Sequence, residues 1–532
     1  VTESRWDSVV IAALVFLLTP FALPAAQSTV DRWGVYEIAL SGPTNGNPFT
    51  DIKFSARFVQ GTNSLEAAGF YDGDGVYRVR FMPETEGQWR YTTVSTAPAL
   101  NGKTGGFEVT KPSAGNHGPV RVAHTYHFAY ADGKPFKQLG TTCYVWNLQG
   151  DVLEEETLKT LAASPFNKIR FCVFPKRYQW NTNEPPFYPF EGKPTKSWDF
   201  TRFNPKYFQH LEQRILDLQK LGIEADIILF HPYDEGHWGF DRMAAEADDR
   251  YLHYVVARLA GYRNVWWSLA NEWDFMRQKK ESDFVRFGEI VSRDDPYHHL
   301  LSIHNGSKLF NHTLPWITHA SIQNGAAVEE AGRAEMYRDA YRKPVVYDEV
   351  KYEGNIESRW GQLSAEEMVF RFWNGTVAGT YVGHGETYKS DDQILWWSKG
   401  GVLKGQSPPR LAFLRQVLED SPAGGIEPID RWQHPEYGGQ ASLYYLVYLG
   451  KEQPASWEFQ IPKPPQGSGI PPADGMKFTV EVLDTWNMTT TSVEGVFTLK
   501  KKDNYFFADK DGRSVPLPGK PYMAIRIRRV KE

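Results

Sequence analysis

The stretch 264-NVWWSLANEWDFM-276 decides how the chain is read. Val265 to Ala270 is an uninterrupted, largely apolar run of strand length, carrying two tryptophans, and reads as a buried strand. It stops abruptly at Asn271-Glu272, with Asp274 just behind. A carboxylate at the exit of a buried strand is either chemistry or a structural contact. The difference turns on whether a second carboxylate reaches a matching place.

Working outward, the texture from about Thr125 alternates strand and helix. The strands are expected at Phe136–Thr141, Ile169–Phe174, Glu224–Phe230, Val265–Ala270, Leu300–His304, Thr318–Gln323, Pro344–Asp348 and Thr376–Val382. Helical patterns such as "NPKYFQHLEQRILDLQKLG" separate them, with Asn204-Pro205 as a cap and first-turn pair. Eight such units over residues 121–422 predict a (β/α)8 barrel. A doubly wound sheet is the alternative, but no glycine-rich phosphate loop follows any strand.

On either side the pattern is β-like. Residues 28–120 carry short alternating strands ("WGVYEIAL", "DIKFSARFV", "GVYRVRFMP") that predict an Ig-like β-sandwich. "DGDG" (Asp72–Gly75) reads as a hairpin turn; a calcium loop would need further acidic ligands at the right spacing. Residues 423–532 predict a C-terminal β-sandwich. The fold class is thus multidomain α/β: a central (β/α)8 TIM barrel between two β-sandwiches. Residues 1–27, with the apolar "SVVIAALVFLLTPFALPAAQ", have the shape of a secretory signal peptide cleaved near Ala25 or Ala26, the alternative being an uncleaved membrane anchor. The protein is therefore expected to be exported, to the periplasm or the extracellular space.

Composition limits the partners. The net charge of −5 offers no basic face for nucleic acid. Aromatic residues make up 14% of the chain, with 18 Trp; they serve either large cores or a groove in which rings stack on sugar C–H faces. Only Cys143 and Cys172 are present, so this is no disulfide scaffold; one disulfide and two buried thiols both fit the sequence. Nothing in the sequence reports an oligomeric state.

The seventh strand, "KPVVYDEV", ends in Asp348-Glu349. In a barrel, the exits of strands four and seven share the C-terminal rim, so Glu272 gains a partner in Glu349. Two carboxylates across a cleft are what glycoside hydrolysis needs: one protonates the leaving oxygen, the other attacks the anomeric carbon or activates water. Asp348 is the alternative working group at strand seven. Asn271 would hold a sugar hydroxyl beside Glu272.

This arrangement resembles the large clan of retaining glycosidases with Asn-Glu after strand four and Glu after strand seven of a TIM barrel. "FNKIRFCVFP" is similar to the clan's second strand, whose Arg (here Arg170) braces the nucleophile, and "IILFHP" to its third, with His231 near the subsite. Within the clan the chain most resembles apiosidase-like bacterial glycosidases, through its N-terminal domain, "NHGPVRV" and "SPPRLAFLR". The resemblance implies Glu272 as acid/base and Glu349 as nucleophile, with no cofactor or metal. Trp273-Asp274 stands where most clan relatives carry Pro.

Other polar and aromatic residues gather at the expected strand exits and are read as substrate contacts: Trp146 and Asn147 after strand one, Arg177 and Trp180 after strand two, Asp234 and Trp238 after strand three, His304 after strand five, Gln323 after strand six, and His384, Glu386 and Trp396 after strand eight. Two further readings stay open: a metal site from His231, Asp234, Glu235 and His237, and a non-catalytic glycan-binding protein on the same scaffold.

Overall fold

The computed structural model describes Val1 and residues 28–194, 197–234, 236–430, 433–464 and 469–530. The leader-like segment Ser8–Gln27 lies outside the described residues. Among these, no helix is long and apolar enough to cross a membrane.

The centre is an eight-stranded parallel barrel. Its strands are β1 (Gly140–Thr142), β2 (Lys168–Cys172), β3 (Glu224–Phe230), β4 (Val265–Ala270), β5 (Leu301–Ser302), β6 (Ala320–Gln323), β7 (Val345–Glu349) and β8 (Tyr381–His384). They run in the order β5-β4-β3-β2-β1-β8-β7-β6, and a parallel bridge between His304 and Ser321 closes the ring. Strands β3 and β4 are buried along their whole length, because helices cover their outer faces.

Helices follow most strands: α1 (Asp151–Ala162), α2 (Pro205–Lys220), α3 (Ala245–Leu259), α4 (Glu281–Asp294), α5 (Gly325–Glu329), α6 (Ala331–Tyr341), α7 (Ala365–Val377) and α8 (Ser407–Glu419). Asn204 caps α2, its side chain accepting from the Lys206 amide at 3.2 Å, and Pro205 sits in the first turn. Among the described residues, the connection from β5 to β6 carries no helix.

Two barrel strands fall elsewhere than the sequence suggested. The eighth was expected at Thr376–Val382, but α7 runs on to Val377, and Gly379 (φ +71°) ends it in the left-handed region before β8 begins. The first was expected from Phe136. Instead the Phe136 amide donates to Phe128 of a hairpin, Val120–Ala123 with His127–Tyr130, at 3.0 Å. Phe128 and Phe136 pack there against Trp266, Leu300 and Val346 and plug the barrel floor.

The N-terminal domain forms seven strands, with the aromatic core Phe58, Phe81 and Phe107 between them. Asp72–Gly75 is a hairpin turn between Asn63–Tyr71 and Val76–Phe81. The Asp72 carboxylate is taken by Arg78 (2.6 Å) and by Arg258 of α3 (2.7 Å). Glu212 of α2 in turn holds Arg80 and Arg258, each at 2.6 Å. This buried ionic network fixes the N-terminal domain to the barrel. The C-terminal domain is an eight-stranded antiparallel sheet, Glu427–Asp430 to Met523–Arg529. It docks on α7 through Tyr448, whose ring stacks on Trp373. Both β-rich domains thus brace the barrel from outside.

Candidate active site

The barrel interior carries charge directly below its C-terminal mouth. The Lys168 ammonium lies between Asp226 (2.6 Å) and Asp348 (2.9 Å), all three fully buried. Ser321 donates to the other oxygen of Asp348. Burial would raise Asp348, but Lys168 and Arg170 hold it well below the usual carboxylate range. It is a fixed counter-ion, shut away from the mouth.

Above this layer the two glutamates converge. Glu272 follows β4 in a left-handed turn (φ +47°), a conformation rare without glycine, which swings its side chain over the mouth. It accepts hydrogen bonds from the Tyr233 hydroxyl and from Asn271 Nδ2 (3.3 Å). Glu349 closes β7 and accepts from the Tyr144 hydroxyl and from Arg170 Nη1 (3.3 Å), with His304 Nε2 at 3.6 Å. Arg170 also donates to Asn271 Oδ1 at 2.7 Å, linking the two halves. With its amide nitrogen facing the carboxylates, Gln323 donates to both, at 3.3 Å to Glu272 Oε1 and 2.7 Å to Glu349 Oε2.

Their electrostatics diverge. Burial, then the negative charge of Glu349, pushes Glu272 up to about 7. Burial also pushes Glu349 upward, but His304, Arg170 and Tyr144 outweigh it and hold Glu349 below its ordinary value. His304 is itself lowered to about 4, chiefly by burial, so its ring is neutral at pH 7 and Arg170 supplies the lasting charge. Toward neutral pH the pair is thus one ionised carboxylate, Glu349, and one carboxyl group, Glu272, that still keeps a large share of its proton.

Both glutamates open on a cleft of about 660 Å³ lined by Tyr144, Lys176, Tyr178, Trp180, Tyr233, Gln323, Lys351, Arg359, Trp360 and Trp397 among others. Of the residues read from the sequence as contacts, Trp180 and Gln323 line this cleft, while Asn271, Arg170 and His304 sit just beneath the carboxylates.

The others lie elsewhere, for physical reasons that differ. Trp146 is fully buried against Phe171, and Asn147 donates to the Cys172 carbonyl at 3.4 Å. Trp396 donates to Thr141 Oγ1 at 2.9 Å, and His384, inside β8, shares that hydroxyl at 3.0 Å and stacks on Phe166. His231 has both ring nitrogens on backbone, with Nε2 donating to Phe174 O at 3.2 Å and Nδ1 accepting from Tyr233 N at 3.1 Å; it places Tyr233. Asp234 accepts from the amides of Trp238 (3.0 Å) and Phe240 (2.7 Å) and ties its own loop. Trp238 is buried, donating to Glu184 at 2.9 Å, and Arg177 reaches the Thr182 carbonyl at 3.4 Å. Glu386 accepts from the Lys404 and Gly405 amides and anchors the loop before α8.

The metal reading loses its donors: His231 and Asp234 are spent on backbone, His237 pairs with Glu184, and Glu235 lies outside the described residues. Asp151, Glu154 and His210 also converge, but Arg214 already occupies the two carboxylates. Cys143 and Cys172 are buried free thiols, not a disulfide. Asp274 is a loop anchor: it accepts from Gly306 N (2.6 Å), Ser307 N (2.7 Å) and Lys308 N (2.7 Å).

Sequence reading missed Tyr144, Lys176, Tyr233 and Trp360. Tyr144 stands two residues before Trp146 and Tyr233 one before Asp234, and those more conspicuous neighbours were chosen instead. Side-chain direction in the loops follows no period that would separate them.

A closed (β/α)8 barrel with two carboxyl groups of opposed acidity at its C-terminal mouth places the chain in the glycoside hydrolase class of barrel proteins. The chain belongs to the apiosidase-like family: residues 123–428 match "Apiosidase-like, catalytic domain". Residues 29–96 and 432–528 match two domains of unknown function, DUF5060 and DUF5605. A candidate glycoside hydrolase of Bacteroides vulgatus is 43% identical, with a TM-score of 0.92, over 95% of this chain and 100% of that one. A family 5 glycoside hydrolase of the same organism shares the fold at 14% identity and a TM-score of 0.55, over 77% of this chain and 93% of that one. No curated protein matches the chain. Fold and family together support glycosidase activity, with carbohydrate as the substrate class.

Proposed function

We propose that the protein is a retaining glycosidase that cleaves O-glycosidic bonds of an oligo- or polysaccharide, with Glu349 as nucleophile and Glu272 as acid and then base. The observation that carries this reading is the pair of carboxyl groups bridged by Gln323. Oxygens that share one nitrogen at 3.3 and 2.7 Å lie at most 6.0 Å apart, the sum of the two distances. That suits the roughly 5–5.5 Å spacing of retaining enzymes better than the roughly 6.5–9.5 Å of inverting ones, which must admit a water.

In the first step a Glu349 oxygen bonds to the anomeric carbon while the bond to the leaving oxygen breaks and takes the Glu272 proton. In the second, Glu272, now ionised, removes a proton from water, whose oxygen displaces Glu349 from the same carbon. The raised pKa of Glu272 and the lowered pKa of Glu349 favour these starting states. Asn271, held by Arg170, is suited to a sugar hydroxyl beside the reacting carbon. We place this activity outside the cytoplasm, on the strength of the leader-like segment Ser8–Gln27; cell fractionation tests that.

Glu349→Gln and Glu272→Gln are the direct test, on any glycan the parent cleaves. Each is expected to lower turnover by roughly 10²-fold or more. With Glu272→Ala, azide should restore turnover as a glycosyl azide of retained configuration. Undiminished turnover in Glu349→Gln overturns the reading.

A further inference from the structure

Lys176 follows β2 and is 2% exposed at the cleft floor. Among the described residues no carboxylate pairs with its ammonium, although a buried ammonium ordinarily takes one. It faces aromatic rings instead: Nζ stands 3.4 Å from the ring centre of Tyr144, 4.1 Å from Tyr233, 4.7 Å from Tyr178 and 5.3 Å from Trp397. The two nearest rings belong to the two phenols that bind the glutamates. Tyr144 donates to Glu349, and Tyr233 donates to Glu272.

We propose that Lys176 is a positioning residue shared by both carboxylates: from between the Tyr144 and Tyr233 rings, its ammonium holds the two hydroxyls onto Glu349 and Glu272 and remains the common counter-charge as negative charge passes from one glutamate to the other. This rests on the catalytic assignment above. A cation on the face of a phenol ring draws electron density from it and makes its O–H a stronger donor. One ammonium therefore strengthens a hydrogen bond at each carboxylate without touching either.

The reaction explains why a shared counter-charge matters. When Glu349 bonds to the anomeric carbon it gives up its negative charge, and when Glu272 releases its proton it gains one. The charge crosses the cleft while its total stays the same. A cation paired directly with either glutamate would stabilise one end of that transfer at the expense of the other. Lys176 faces each glutamate through a phenol of its own, Tyr144 at 3.4 Å and Tyr233 at 4.1 Å, and so supports both ends of the transfer.

The groups around it are accounted for. Arg170 and Cys172 face it from β2, Glu272 from the end of β4, Glu349 from β7 and His231 from the end of β3, with Lys351 and Arg359 farther out on the cleft wall. Burial lowers the ammonium to about 8, and the two glutamates oppose that fall, so it is still mostly charged at neutral pH.

The test is carboxyl-carbon NMR titration of the full chain labelled with 13C-glutamate, the two resonances assigned by their loss in Glu272→Gln and Glu349→Gln. In Lys176→Met both glutamates should titrate at higher pH than in the parent, by about half a pH unit or more, and kcat should fall while KM changes little. Lys176→Arg should return both titrations toward the parent. Lys176→Gln serves the same comparison if the Met variant does not fold. Unmoved titrations, or movement of one glutamate alone, overturn the inference even if activity falls. Full turnover in Glu349→Gln would instead overturn the catalytic assignment, whatever Lys176 does.

Discussion

The side-chain amide of Gln323 meets Glu272 and Glu349 at once, 3.3 Å from one carboxyl oxygen and 2.7 Å from the other. Strand β6 ends at Gln323, between the strand exits that carry the two acids both along the chain and around the barrel. Closing β5 onto β6 through His304 and Ser321 is what brings it there. Gln323→Ala removes a hydrogen bond to an ionised group, a contact worth ~1.5–3 kcal/mol. We expect kcat/KM to fall by roughly ten- to a hundredfold, and the Glu349 titration to move upward. Steady-state kinetics across pH checks both.

The pH dependence follows from the sign of each shift. The active form carries Glu349 ionised and Glu272 protonated. Activity is therefore lost on the alkaline side as Glu272 ionises, about pH 7, and on the acid side only below the ordinary glutamate value, because Glu349 is lowered. A kcat/KM profile should be bell-shaped, with its alkaline limb near neutrality. Glu272→Gln removes the group responsible for that limb. In its residual activity on a substrate with an activated leaving group, the alkaline fall near pH 7 should disappear.

Much of this was legible in the sequence. Strands β3 and β4 fall where the stretches Glu224–Phe230 and Val265–Ala270 placed them, because helices cover both and leave them buried throughout and mostly apolar. Strand β8 was misplaced because the apolar end of α7 looks strand-like, although Gly379 marks the true stop. That slip put His384 beyond the strand when it lies inside it. The two glutamates were legible as strand exits. The residues that hold them were not, since Tyr144, Tyr233 and Lys176 leave loops whose geometry is set by contacts distant in sequence.

Asp274 tests the loop that forms one wall of the cleft. Its carboxylate takes three successive amides, Gly306 to Lys308, and Gly306 faces the cleft. Asp274→Ala should free this loop at a cost of ~1–3 kcal/mol for the unpaired amides. KM is expected to rise more than kcat falls. An unchanged KM with a lowered unfolding midpoint would confine Asp274 to stability.

Glu212 tests the joint between the N-terminal domain and the barrel. Removing it leaves Arg80 and Arg258 buried, with Arg80 losing its buried partner. Glu212→Ala should destabilise the protein by ~3–5 kcal/mol. Denaturant unfolding should show a lowered midpoint, with the N-terminal domain more open to proteolysis. A change below ~1 kcal/mol would mean that the network contributes little to docking.

The most direct test of the central claim is the anomeric configuration of the first-formed product, followed by 1H NMR on a glycan the protein cleaves, before mutarotation sets in. Carboxyl oxygens at most 6.0 Å apart, one acid and one nucleophile, predict retention. A first-formed product of inverted configuration would show that water, and not Glu349, attacks the anomeric carbon.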